Sequence, residues 1–148
     1  MSDWLEIRVE LLRGRGMDLD PRPGRIFLVG PKHDFGALAR AIDQAFARWD
    51  LGHLHVFELS DGRQIGMAED DVDDEFEDET GVLIASAVAK GDEFTYVFDL
   101  GDDWTHSCTV QRDDVDPVKE FNEPPDVVVP IYGWGTIPDQ YGRTTSDD

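Results

Sequence analysis

Phe94-Thr95-Tyr96-Val97-Phe98-Asp99-Leu100-Gly101-Asp102-Asp103-Trp104-Thr105-His106-Ser107-Cys108-Thr109-Val110 alternates large apolar with small or polar side chains on either side of a Gly-Asp-Asp sequence. A period of two is the signature of a half-buried strand, and glycine with aspartate supplies turn chemistry, so the stretch predicts a β-hairpin of Phe94–Leu100 and Trp104–Val110. A three-residue loop would pair Leu100 with Trp104, Phe98 with His106, Tyr96 with Cys108 and Phe94 with Val110. Every large apolar group then lies on one face, with Thr95, Val97, Asp99, Thr105, Ser107 and Thr109 on the other. The apolar face needs a partner.

A helix upstream supplies it. From Phe35, apolar residues recur at Leu38, Ala39, Ile42, Ala45, Phe46 and Trp49, a spacing of three and four that draws one stripe down a helix over 35–49. Asp34 stands as its N-cap, Gly52 closes it, and Arg40, Asp43, Gln44 and Arg48 face away from the stripe. A helix stripe laid on a mostly antiparallel mixed sheet is an α+β domain. Further strands are expected at Trp4–Leu12, Arg25–Val29, His53–Leu59, Gln64–Met67 and Val127–Ile131, with a long arginine-bearing connection between the first two. Val82–Ala89 reads as a strand or a short second helix, and its alanines favour the helix. No internal repeat occurs. A single domain over 1–132 and a polar, weakly ordered tail over 133–148 follow.

The chain has 148 residues, 40% hydrophobic and 31% charged, enough to bury one core. Its net charge of −20 is lopsided: residues 1–65 carry −1 and residues 66–148 carry −19. Much of the excess lies in Glu69-Asp70-Asp71-Val72-Asp73-Asp74-Glu75-Phe76-Glu77-Asp78-Glu79, so 68–79 reads as a self-repelling, solvated loop. So negative a chain argues against direct nucleic-acid binding, which needs Lys and Arg to displace counterions. The lone Cys108 permits no intramolecular disulfide, no stretch approaches a membrane span of roughly 18 apolar residues, and Met1-Ser2-Asp3-Trp4 does not open a signal peptide. A cytoplasmic location, away from membranes, is the expectation.

Two kinds of chemistry are available. His53 and His55 share one side of a strand; if His106 is their neighbour, these imidazoles with Asp99, Asp102 or Asp103 could ligate a divalent metal such as zinc. The alternative is that His106 is a hydrogen-bonded core residue, that His53 and His55 cap the sheet edge, and that the aspartates bond turn amides. Cys108, mid-strand on the inner face, reads as a small hydrophobe rather than a nucleophile. Arg13, Arg15, Arg22 and Arg25 form the one basic cluster, which would touch an acidic partner or neutralise the chain's own acidic run Glu69–Glu79. Gly14-Arg15-Gly16 lacks the third glycine of a dinucleotide fingerprint, and no phosphate loop is present.

His53-Leu54-His55-Val56-Phe57 following the Phe35–Trp49 helix, together with the Phe94–His106 motif, resembles the plasmid open-reading-frame-three-like proteins, also described as passenger proteins of insertion elements. The residues that carry the resemblance are Phe57, Tyr96, Gly101, Asp102, Trp104 and His106. It implies a compact α+β domain encoded on plasmids, transposable elements and chromosomes, without an established activity. The chain departs from the pattern at Ala39, where relatives often carry histidine, and across Gly133–Gly142, where many carry cysteines. Two functional readings remain: a non-enzymatic module that engages a protein, basic by complementarity, through Glu69, Asp70, Asp71, Asp73, Asp74 and Glu75 and needs no cofactor, or a metal-dependent hydrolase built on His53, His55, His106, Asp99 and Asp102.

Overall fold

The alternation near the N-terminus becomes β1 (Trp4–Gly14), in which Leu5, Ile7, Val9 and Leu11 are buried. The structure, a computed structural model, describes residues 4–48, 50, 54–66, 77–117, 125–138 and 140. Its elements continue as β2 (Met17–Asp18), β3 (Gly24–Val29), α1 (Phe35–Ala45), β4 (His55–Leu59), β5 (Gln64–Gly66), β6 (Glu77–Asp78), α2 (Ile84–Ala87), β7 (Glu93–Phe98), β8 (Trp104–Val115) and β9 (Val129–Trp134). The strands form one mixed sheet in the order β6-β5-β4-β7-β8-β1-β3-β9, with β2 paired to β1. The β5–β6 pairing is parallel, and the other pairings are antiparallel. The fold is α+β, as the helix stripe and the alternation require. No described helix is long and apolar enough to cross a membrane.

The hairpin forms in a different register from the one its alternation suggests. Phe98 pairs with Trp104, Tyr96 with His106 and Phe94 with Cys108, a displacement of two residues that leaves 99–103 as the loop. Asp99 is the cause: it adopts φ 62°, and its Oδ1 accepts from the amides of Gly101 (3.1 Å) and Asp102 (3.3 Å). Asp103 at φ 57° closes the loop by donating its amide to the Asp99 carbonyl at 2.7 Å. Aspartate tolerates this left-handed region because its short side chain bonds locally. A slip of two, unlike a slip of one, keeps every side chain on its face, so the core is unaffected. What changes is the neighbour of Tyr96, which is His106 rather than Cys108.

Helix α1 begins as expected, with Asp34 Oδ1 accepting from the Ala37 amide at 2.8 Å. It ends at Ala45, earlier than the stripe suggests. Ala47 turns left-handed (φ 58°), its amide bonds Gln44 O and the Arg48 amide bonds Asp43 O, the paired closure that terminates many helices. Trp49, Leu51, Gly52 and His53 lie outside the described residues. Phe35, Leu38, Ile42 and Phe46 are fully buried against the sheet. Phe35 meets Phe57 edge-on at 5.1 Å and Phe94 at 6.1 Å. Burial of each such side chain contributes about 1.5–3 kcal/mol, so this interface dominates the core. Two positions read as outward-facing are not: Asp43 and Arg48 are 6% and 5% exposed.

Segments 67–76, 118–124 and 141–148 lie outside the described residues, including Glu69, Asp70, Asp71, Asp73, Asp74 and Glu75. The end of the acidic run, read as part of a solvated loop, is built into the fold. Glu77 and Asp78 pair with Ile65 and Gly66, and the Glu77 carboxylate takes both Arg63 Nε and Nη2 at 2.8 Å. Of the arginines read as one basic cluster, Arg13 reaches Asp103 at 3.4 Å, and Arg25 Nη1 donates to the carbonyls of Gly24 and Trp134. The expected helix within 82–89 is the single turn α2. The strand expected at Val127–Ile131 is β9, two residues later at its start and three at its end.

Candidate functional site

Between α1 and the central strands, an apolar interface encloses a group of titratable side chains. Tyr96, on β7, points at the helix, and its hydroxyl donates to Asp43 Oδ1 at 2.7 Å. A buried tyrosine needs such an acceptor, because leaving its O–H unmade costs about 1–3 kcal/mol. His55, on β4, tilts against the Tyr96 ring at 5.6 Å, and its Nε2 lies 2.5 Å from Glu79 Oε1. This second pair is the more open one, with side chains 12% and 13% exposed. His106, on β8, flanks Tyr96 on the other side at 5.4 Å and packs edge-on against Phe46 at 4.9 Å. Arg48 completes the group: its Nε donates to Phe46 O, its Nη2 donates to Pro138 O, and its guanidinium lies 4.4 Å from the Trp104 ring centre.

Burial sets the proton affinities. Loss of water pushes the Asp43 carboxyl up to about 7, against the opposing pull of the Tyr96 hydroxyl and the His55 and Arg48 charges. Tyr96 is raised well above the usual phenol value, again by burial first and then by Asp43. His106 is pushed down to about 4 by burial, with Arg48 acting in the same direction, so it is neutral at pH 7. Its tautomer follows from geometry: Nδ1 lies 3.0 Å from the Tyr96 carbonyl, which only accepts, so Nδ1 carries the hydrogen. Nε2 is then a bare acceptor, and it and the Trp104 Nε1–H have no hydrogen-bond partner among the described residues. The Cys108 thiol is fully enclosed and raised by burial, which leaves no thiolate for nucleophilic attack.

The structure sorts the residues singled out from the sequence. Phe57, Tyr96 and His106 stand side by side on β4, β7 and β8, facing α1, and His55 lies next to them. Asp99, Gly101 and Asp102 belong to the hairpin loop, where Asp99 caps loop amides and the Asp102 carbonyl accepts from the Arg15 amide at 2.6 Å. Among the described residues no group of three or more His, Cys, Asp and Glu could hold a metal ion. Trp104 lies over Gly14, on which a Cβ would sit 2.0 Å from the ring. Sequence reading passed over Asp43, Arg48 and Glu79. The one available signal for Asp43 was its place between Ile42 and Phe46 at the margin of the stripe, together with a strand tyrosine whose hydroxyl required an acceptor.

His33 is a further buried histidine. It lines a cleft of about 350 Å³ with Trp4, Pro31, Pro125 and Asp126. Its Nδ1 accepts from the Gly30 amide at 2.8 Å and its Nε2 donates to Asp126 O at 3.0 Å, so both ring nitrogens are spent on backbone. It ties the 30–33 loop to 126.

Fold and cluster together define an α+β domain with a buried, hydrogen-bonded polar cluster between its helix and its sheet. The chain belongs to the family described as plasmid pRiA4b ORF-3-like protein, whose sequence model matches residues 6–128. No protein of curated function matches it. Among solved structures it resembles a crystal structure described as the protein of unknown function MM3350 from Methanosarcina mazei Go1, with a TM-score of 0.61 at 18% identity over 87% of this chain. The match spans 62% of that longer protein, and at this identity the likeness concerns the fold alone.

Proposed function

We propose that this protein is a non-enzymatic, cytoplasmic interaction module that engages a basic protein through its acidic surface. The observation that carries the reading is the net charge of −20 concentrated as −19 in residues 66–148. A field of one sign steers an oppositely charged partner and repels nucleic acid. Neutralising Glu69, Asp70, Asp71, Asp73, Asp74 and Glu75 to their amides should slow association with basic nucleic-acid-binding proteins by at least about tenfold at low salt, and flatten the salt dependence. Stopped-flow association across a salt series reads this directly. Association rates identical in the two proteins would rule the reading out.

A second reading, a metal-dependent hydrolase using His53, His55, His106, Asp99 and Asp102, draws support at His55 and His106, which flank Tyr96 beside the buried Asp43 carboxyl. Carboxyls with proton affinities near neutrality are concentrated at catalytic centres. The check is elemental analysis of gently purified protein. Stoichiometric zinc that disappears in His55→Ala would support this reading, and folded protein free of metal would end it.

A further inference from the structure

We propose that the sheet face opposite α1, along β4, β7 and β8, is the docking surface for an extended, basic segment of the partner, with a lysine or arginine side chain seated between Glu58 and Glu93. The inference rests on the interaction-module reading and assigns its site. Strand pairing sets out the face residue by residue. Glu58 lies across from Thr95 and Thr95 from Ser107; Glu93 lies across from Thr109; Val56 lies across from Val97 and Val97 from Thr105. These positions alternate with Phe57, Phe94, Tyr96, Phe98, His106 and Cys108, which α1 and the core cover. Helix α1 lies on the opposite face, where Phe35 meets Phe57 and Phe94 and Asp43 meets Tyr96.

Its shape and charge both select the occupant. A groove of about 290 Å³ runs over Glu58, Ser60, Glu93, Thr95 and Ser107. Glu58 and Glu93 are exposed, and among the described residues no cation pairs with either. The floor is made of hydroxyls that donate to or accept from a backbone laid over them, with Val56 and Val97 at its side. The two arginines of the neighbouring strand are already committed: Arg8 lies 3.4 Å from Glu10 and 4.4 Å from the Trp134 ring centre, and Arg13 lies 3.4 Å from Asp103. Two unneutralised carboxylates flanking a polar trough therefore complement a side chain with a cationic tip and an aliphatic stem. A second copy of the chain brings another −20 and is repelled. An extended segment fits because residues two apart along it present side chains to one face, matching the two-residue spacing of Glu93 and Thr95.

The test uses the full chain and a fluorescent decapeptide of alternating lysine and threonine, with alternating glutamine and threonine as the uncharged comparison. Glu58→Gln combined with Glu93→Gln should weaken binding of the lysine peptide about tenfold. Removing two exposed charges in loops off these strands, by Asp20→Asn with Asp126→Asn, should weaken it less than about twofold, which separates a site from bulk attraction. Amide shifts on titration should centre on Thr95, Val97 and Ser107, with melting temperature and circular dichroism confirming that every variant is folded. Equal weakening by the two double variants, or shifts centred elsewhere, would overturn the docking surface while the interaction reading stood. If neither the lysine peptide nor any basic protein bound in a salt-dependent way, both would fall. Binding of the glutamine peptide as tight as the lysine peptide, or a dimer that blocks the groove, would also overturn this assignment.

Discussion

Asp43→Asn should make the protein more stable than the wild type above pH 7, and the advantage should shrink steadily as the solution is acidified. Asparagine keeps an oxygen for the Tyr96 hydroxyl, 2.7 Å away in the wild type, and removes the carboxyl that burial raises to about 7. A carboxyl with a raised folded value holds a proton between pH 3.8 and about 7 that the unfolded chain has released. Its contribution to stability is therefore complete below that window and lost as pH rises through 7. Three units correspond to about 4 kcal/mol, the largest change expected in the variant-minus-wild-type difference between pH 4 and 8.

His106 acts with the opposite sign. Its folded value is lowered to about 4 from 6.5, so stability from the neutral ring is complete above 6.5 and is lost on acidification toward 4. Between about pH 4 and 6.5 the two groups offset each other in the wild type. Asp43→Asn exposes the His106 dependence alone, about 3 kcal/mol across that interval. Urea unfolding at half-unit pH steps measures both quantities. Parallel stability curves for the two proteins from pH 4 to 8 would show that Asp43 is ionised in the fold and that the cluster is not a proton store.

Gly14→Ala should destabilise the domain by about 3 kcal/mol, although the substitution is small and lies in a strand. The new Cβ would sit 2.0 Å from Trp104 Cε3 and 2.3 Å from Cδ2. Trp104 is 1% exposed and is held from another side by the Arg48 guanidinium, so it has little room to yield. Overlap in a close-packed interior is relieved only by moving backbone. A double-mutant cycle isolates the contact: in a Trp104→Leu background the same alanine should cost less than about 1 kcal/mol. Equal costs in the two backgrounds would show that the glycine serves its own backbone rather than the ring.

Local pattern carried a great deal. The stripe from Phe35 to Phe46, the alternation in β1, β7 and β8, and the cap at Asp34 are properties of neighbouring residues, and residues close in sequence interact whatever the rest of the chain does. They determined the element types, the α+β class and the face each core residue occupies. Element ends were less legible. Ala47 closes α1 through a left-handed turn that its alanine does not advertise, and the hairpin loop lengthened by two residues because Asp99 capped it.

Only the tertiary structure decided which polar groups meet. Asp43 and Tyr96 are separated by 53 residues, His55 and Glu79 by 24, and Arg48 and Pro138 by 90. Periodicity places a side chain on a face but does not name what crosses that face from another element, and a charged residue at the margin of a stripe reads as solvated until its partner is seen. Asp43 and Arg48 are buried because Tyr96 and Trp104 receive them, and those contacts exist only once the helix has docked on the sheet.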